Sequence, residues 1–297
     1  MIKKFSLIAA VFFVLSALAV SSVSGITYYL YNGYLYRDIT TSTIALSGYE
    51  GSETQLVVPE TIGERTLISI DGYAFYGNST VTEIDLSQAT GLSAIGEGAF
   101  CECSSLKNAV IPSSVNSISE MAFQDCSLLE IVQFDATVNK INRQMFMRCS
   151  ALTEFTVPET VNAILDYAFA NCSALERIVI PSSVTSISDV AFLNDSNLTI
   201  YGFEGSYAQT YAQEHNIPFV LIETYMLGDV DGDGLVNIND VTAIQSHLAE
   251  LKTVEGIYLM AADTNQDDIV DISDATVIQM YIAEYDIPYP VGEIITQ

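Results

Sequence analysis

The chain has no tryptophan, only two histidines, and 10 basic residues against 37 acidic ones, which gives a formal charge of −27. Each shortage excludes something. His215 and His247 cannot build a His-rich metal site, and any imidazole catalysis has only those two to use. The charge repels a phosphate backbone, so nucleic-acid binding is excluded. It also opposes attachment to anionic lipid. A long apolar run occurs once, at Leu7 to Val20. Hydrophobic residues nevertheless make up 49% of the 297, enough for a packed core.

Residues 1–25 read as an export signal. Lys3 and Lys4 precede the apolar run, and small residues Ser21, Ser22, Ser24 and Gly25 follow it. The run is shorter than the about 20 residues of a comfortable membrane span. An uncleaved anchor is the alternative reading. Cleavage would remove Lys3 and Lys4 and take the charge from −27 to −29. The product is then expected to be exported, with no direct membrane insertion.

Five cysteines in an exported chain suggest disulfides, but their spacing points elsewhere. Cys103, Cys126, Cys149 and Cys172 recur every 23 residues, and Cys101 stands apart. Phe100, Phe123, Phe146, Phe169 and Phe192 share the period, with Phe75 before them. Three residues after each Phe comes Asn78, one of the four cysteines, or Asp195. Further apolar columns run Leu86, Ile111, Phe134, Val157, Ile180, Phe203 and Ile70, Ile95, Ile118, Ile141, Ile164, Ile187. A single unit of this size cannot bury its apolar face, whereas stacked copies make one continuous core. The columns therefore predict a solenoid of short parallel strands in 23-residue coils. The cysteine column is either a metal or disulfide string or a buried column that satisfies turn carbonyls. Asn78 and Asp195 cannot form disulfides, which favours the second reading; a single bridge from Cys101 stays open.

The quoted segments, such as AFCECSSLKNAVIPSSVNSI from Ala99, resemble the leucine-rich repeat of the BspA type. The resemblance covers residues 45–222, including a C-terminal cap, and implies that fold but no ligand. Before it, residues 26–44 carry five tyrosines around Asn32-Gly33, a hairpin signal. They serve either as an N-terminal cap or as a sugar-stacking platform. At the far end, Ser206 to Asn216 reads as a helix and Ile217 to Val220 as a returning strand.

From residue 223 to 297 the repeat is gone, and 15 carboxylates face one cation, Lys252. Two segments align with an offset of 34 residues: Asp229, Asp231, Asp233, Leu235, Asn237, Asp240 and Asp263, Asn265, Asp267, Ile269, Asp271, Asp274. They fall at positions 1, 3, 5, 7, 9 and 12 of a loop. Side-chain oxygens at 1, 3, 5, 9 and 12 with a main-chain carbonyl at 7 suit Ca²⁺, so two calcium sites are expected. The alternative, a solvated acidic loop, has to explain the spacing twice. Helices are expected after both loops, with apolar stripes Val241, Ile244, Leu248 and Val277, Ile278, Tyr281, Ile282. The stretch before the first loop does not read as a helix. Position 6 of the second loop is Asp268, where glycine is usual, so that loop is expected to bind calcium more weakly.

These two loop–helix units resemble a type I dockerin, a small all-α calcium-binding module with two F-hand motifs. The resemblance implies a cohesin module of a scaffoldin as partner, cellulosome membership, and indirect attachment to the surface of a fibre-degrading bacterium. It also implies recognition residues at Ile238, Asn239, Gln245 and Ser246, and at Ile272, Ser273, Gln279 and Met280. None is basic, unlike the family pattern, and Ser246 differs from Met280; symmetric two-way docking is thereby put in doubt. No G-x-S-x-G motif occurs, and the repeat carboxylates follow the coil surface, so no enzyme is expected. The chain reads as a secreted non-catalytic component whose repeats bind an unknown protein or glycan. A tethered adhesin or protease inhibitor, or a spacer without a ligand, is the alternative.

Overall fold

A computed structural model describes residues 18–23 and 26–296. The expected leader lies outside the described residues except for β1 (Leu18–Val23), whose backbone pairs antiparallel with β2 (Ile26–Tyr31). The described chain divides into two compact units that part between Val220 and Leu221. No helix among the described residues is long and apolar enough to cross a membrane.

In the first unit, β2 turns into β3 (Tyr34–Asp38) through Asn32 and Gly33, both at positive φ (49° and 83°). That is the turn whose twist matches a two-residue hairpin. Tyr36 is buried, and Tyr29, Tyr31, Tyr34 and Tyr49 pack on the repeat core, so the tyrosines cap the stack. β4 (Thr43–Tyr49) pairs antiparallel with β3 on one side and parallel with β7 (Arg65–Ile70) on the other. Between them lie β5 (Gln55–Val57) and β6 (Thr61–Ile62). The coils then alternate two strands each. The first set is β8 (Glu83–Asp85), β10 (Asn108–Ile111), β12 (Ile131–Phe134), β14 (Glu154–Thr156), β16 (Arg177–Val179) and β18 (Thr199–Gly202). The second is β9 (Ala94–Ile95), β11 (Ser117–Ile118), β13 (Lys140–Ile141), β15 (Ala163–Ile164) and β17 (Ser186–Ile187). Helix α1 (Tyr207–His215) and β19 (Phe219–Leu221) close the far end. Ser206 caps the helix by accepting the Gln209 N–H, and Asn216 ends it in the left-handed region.

The unit is a solenoid of about eight coils. Its stack begins one rung earlier than the phenylalanine column, because Leu56 pairs in register with Ile84. At the far end the register tightens. Ile200 pairs with Ile178, so Gly202, not Phe203, continues the column from Ile180. The Phe219 ring comes back against Gly202, where a Cβ would meet it at 3.2 Å.

The phenylalanine rings of neighbouring coils stack 5.0–5.5 Å apart from Phe75 to Phe192. All five cysteines are buried free thiols, and four of them form a hydrogen-bonded column. Cys103, Cys126, Cys149 and Cys172 each donate S–H to the Phe carbonyl of the preceding coil, Phe75, Phe100, Phe123 and Phe146, at 3.0–3.2 Å. The same carbonyl also accepts the N–H three residues on, as Phe146 accepts from Cys149 at 3.1 Å. Both lone pairs of a buried acceptor are thus used. Asn78, at the head of the column, turns its Oδ1 into its own loop and accepts the Thr80 and Val81 N–H groups.

Asp195 ends the column. It is 9% exposed, neither carboxylate oxygen has a hydrogen-bond partner among the described residues, and burial pushes its pKa up to about 7. Protonated, the carboxyl has the O–H that the column requires. Because the folded value lies above the unfolded one, this stabilisation is full at low pH and is lost as pH rises from about 4 through 7. Asp195→Asn is therefore expected to melt several degrees higher than the parent at pH 8 and to narrow the gap at pH 5. Asp195→Cys is expected to do the same by extending the thiol column. Parallel melting curves with an unchanged gap at the two pH values would exclude this titration.

Candidate metal centre

The second unit opens with β20 (Thr224–Met226), which pairs antiparallel with β21 (Ile294–Thr296). Between them lie α2 (Ile238–Leu248), α3 (Ile257–Ala262) and α4 (Ile272–Ile282). A small core of Val241, Ala243, Ile244, Ala275 and Ile278 joins α2 to α4. The expected stripes are shorter than the sequence pattern suggested: Leu248, Tyr281 and Ile282 are exposed, because the last turns run past this core. The short helix α3 before the second loop was not anticipated.

Each loop winds around its first aspartate. Asp229 Oδ1 accepts the Gly232 and Asp233 N–H groups at 2.8 and 3.1 Å, and Oδ2 accepts Gly234 N–H at 3.0 Å. Asp263 receives the Asp267 and Asp268 N–H groups in the same way, at 3.1 and 2.9 Å. In the first loop this winding brings carboxylate oxygens of Asp229, Asp231 and Asp233 within 4.8 Å of one another. Like charges this close repel unless a cation lies among them, and hard oxygen donors suit calcium. The donor set fits that ion. In the second loop Asp263, Asn265 and Asp267 hold the equivalent positions, linked by an Asn265 Nδ2 to Asp267 Oδ2 bond of 3.1 Å. The carbonyl-bearing residues Leu235 and Ile269 are both strongly exposed.

The turns demand positive φ at loop positions 4 and 6. Gly232 and Gly234 supply it in the first loop (78° and 82°), but Gln266 and Asp268 adopt it in the second (58° and 66°). Each such residue costs about 1 kcal/mol more than glycine.

Asp240 and Asp274, at position 12, are fully buried, and their carboxylates hold main-chain N–H groups. Asp240 Oδ1 accepts the Val230 and Asp231 N–H groups at 2.7 and 3.1 Å, and Oδ2 accepts Asn237 N–H at 2.8 Å. The last bond is half of a capping box with the Asn237 side chain. Burial pushes the Asp240 carboxyl up, and the three N–H bonds oppose that. Asp274 makes the equivalent bonds to Asn265 and Asp271 N–H, and also accepts the Thr264 hydroxyl at 3.3 Å. Thr264 stands where the first copy has Val230.

At position 9 the copies diverge. Asp271 accepts both the N–H and the hydroxyl of Ser273, which hold its carboxyl below the usual range. Ser273 also receives Asn265 Nδ2 at 3.1 Å, so it ties positions 3 and 9 together. Asn237 accepts the Asn239 N–H there, but residue 239 has no hydroxyl to add to it.

The residues expected to meet a partner are mostly on the surface. Ile238 and Ile272 are equally exposed at 59%, Met280 at 38%, and Asn239, Gln245, Ser273 and Gln279 are exposed, while Ser246 is half-buried. His247 accepts the Val254 N–H through Nδ1 at 3.0 Å. It is therefore a loop anchor, which no spacing in the sequence signals.

Two family models match the chain. The BspA type leucine rich repeat region matches in six copies over residues 66–199, and the dockerin type I domain matches residues 227–283. Among solved structures, the Treponema pallidum leucine rich repeat protein is similar at 23% identity and a TM-score of 0.54. The match covers 63% of this chain and 95% of that one. A leucine-rich repeat protein from Eubacterium ventriosum is similar at 25% identity and a TM-score of 0.52, over 62% of this chain and 47% of that one. These likenesses show the fold. No curated protein matches the chain.

The bonds of Asp240 generate a prediction that does not depend on metal. Asp240→Ala leaves three loop N–H groups without their acceptor, and charge-assisted bonds are worth about 1.5–3 kcal/mol each. The second unit is expected to lose roughly 3 kcal/mol or more of stability in chelator. Denaturation in excess chelator measures this; an unchanged transition would mean that Asp240 acts through the cation alone.

Proposed function

For a chain that joins BspA-type leucine-rich repeats to a type I dockerin domain, we propose the role of an exported, non-catalytic component of a cohesin–dockerin assembly. A type I dockerin implies binding to a cohesin. The dockerin, residues 223–297, would fix the protein to a scaffoldin on the cell surface. The cap and repeats, residues 26–44 and 45–222, would offer a second surface to another molecule. Residues 1–25 would direct export.

The observation that carries this reading is the duplicated loop–helix unit, with the same hydrogen-bond winding around Asp229 and Asp263 and the same buried carboxylate at Asp240 and Asp274. Asp229, Asp231, Asp233, Asn237 and Asp240 with the Leu235 carbonyl would hold one calcium ion. Asp263, Asn265, Asp267, Asp271 and Asp274 with the Ile269 carbonyl would hold a second. The ion supplies the positive charge that lets these carboxylates converge. The chain's own residues then fix the start of each helix through the capping boxes. They also hold the first helical residues, Ile238 and Ile272, out towards solvent. Ile238, Asn239, Gln245 and Ser246 from one copy and Ile272, Ser273, Gln279 and Met280 from the other form the docking face. Their differences favour one docking orientation.

Two observations bear on the repeat unit. Its histidine, His215, is stacked on Tyr211 at 4.0 Å and donates Nδ1–H to the Tyr211 carbonyl at 3.0 Å, which supports a structural role. The exposed pair Tyr73 and Tyr76 gives way in the next coil to Gly98 and Cys101, so it does not extend into a glycan-stacking stripe. A protein partner is therefore favoured over a glycan.

The full chain is expected to bind at least one member of a panel of purified cohesins in calcium and to release it in excess chelator. Calcium-dependent folding with no cohesin bound would overturn the docking role. Calorimetric titration is expected to resolve two calcium sites, the weaker one lost in Asp263→Ala. Asp268→Gly is expected to tighten the weaker site by roughly fivefold, the equivalent of about 1 kcal/mol of relieved left-handed strain.

A further inference from the structure

The parallel ladders of the repeat unit stop at one level. β12 pairs with β10 alone and β14 with β16 alone, so the sheet is interrupted between these neighbouring coils. On the other side of the same level, β11 and β13 also belong to different sheets. There the Asn142 side chain takes the Ile118 carbonyl at 2.6 Å. The turn side stays closed: Phe123 N–H reaches the Met145 carbonyl at 2.9 Å, and Cys149 S–H reaches the Phe123 carbonyl at 3.2 Å.

The cause is aromatic bulk. At the intact levels the paired inward positions hold at most one ring, as Ile84 against Ala109, Ile111 against Phe134 and Phe155 against Ile178. Here two rings from neighbouring columns crowd one level: Phe134 and Phe155 meet across the gap at 5.4 Å, and both also pack on Phe146 at 6.0 and 5.0 Å. Overfilling a packed layer forces the backbone to yield. The coils stay joined at the phenylalanine column and spread on the strand side.

The spread leaves main-chain groups without partners. At intact levels the upper strand donates downwards, as Ile131 N–H does to Lys107 and Arg177 N–H to Thr153, each at 3.2 Å. The lower coil donates upwards at the far end, as Leu86 N–H does to Val110 at 3.1 Å. The equivalent pairs at the break are Glu154 N–H with the Glu130 carbonyl, and Phe134 N–H with the Thr156 carbonyl. Neither bond forms among the described residues. A groove of about 570 Å³ opens there, with the exposed Ile131 at its edge. Its rim carries Glu130, Asp135, Glu154 and Glu159, and its single cation, Arg177, is already 3.8 Å from Glu154.

We infer that this break in the ladder is a binding groove for an extended, basic segment of a partner protein. The segment's main chain pairs with the free edges of β12 and β14, and its lysine or arginine side chains meet the four carboxylates. Unpaired strand edges recruit main chain, and the rim charge selects its side chains. The inference rests on the reading that the repeats present a surface to a partner, and it names that surface and the partner's chemistry.

Amide hydrogen exchange on the full chain tests this, alone and with a synthetic peptide alternating lysine with valine. The Phe134 and Glu154 amides are expected to exchange fast in the free protein and to slow roughly tenfold or more with the peptide. A glutamate–valine peptide is expected to leave them unchanged. Phe134→Ile with Phe155→Ile is expected to close the ladder, slowing both amides without peptide and abolishing the response. Glu130→Lys with Glu154→Lys and Glu159→Lys, all on exposed side chains, is expected to keep the fold and reverse the preference to the acidic peptide. An equal response to both peptides, slow exchange in the free parent, or protection by a cello-oligosaccharide in place of the basic peptide would each overturn the proposal. Cohesin binding by both variants is expected to stay unchanged, which separates failure of the groove from failure of the docking role.

Discussion

The repeat unit depends on how a buried turn carbonyl is satisfied. Each coil must turn inside the protein, and an unpaired main-chain acceptor there costs about 1–3 kcal/mol. The solution is periodic. The Phe carbonyl takes one N–H from its own turn and one S–H from the coil above, as Phe123 does from Cys126 and Cys149. A thiol suits this place because it packs as a small apolar group and still carries a weak donor. Desolvation keeps it protonated; burial pushes the Cys149 and Cys172 thiols well up. The phenylalanine rings stack directly beside this column, so one interaction sets both the rise of the coils and their register.

This regularity is why the repeat fold was legible in the sequence. A column that performs one task per coil must show the same residue type at one spacing. Legibility failed where the task changed. The first rung, around Leu46 and Leu56, packs against the cap and carries neither phenylalanine nor cysteine. The last rung shortens so that Gly202 can admit the Phe219 ring. Phe134 reads as an ordinary apolar member of its column and Phe155 belongs to none of the columns read, yet together they part the strands. Volume summed across two neighbouring coils decides that, and a position-by-position reading does not add it.

The acidic unit was legible for a different reason. Its loops are governed by local chain geometry, so the spacing of oxygen donors can be read along a dozen residues. What escaped was everything that crosses between elements. The sequence offered Asp240 and Asp274 as metal ligands, whereas their side chains are also the buried anchors of loop N–H groups and helix starts. His247 fastens the Val254 loop, and Ser273 links two loop positions while lying on the exposed face. The apolar stripes were read too long because periodicity gives a helix face but not how far its neighbour extends along it.

The column of thiols has a direction, and that direction bears on how such a chain can change in length. Every internal coil offers a carbonyl upwards and a donor downwards, so any internal coil fits on any other. Only the ends differ: Asn78 turns back on its own loop, and Asp195 stops the series under the closing helix. Duplication or loss of whole internal units therefore leaves every buried turn matched and both ends intact. Two neighbouring coils that bear one such phenylalanine each can be carried along the series together in the same way, so that the height at which the sheet parts becomes a heritable variable separate from the stability of the stack.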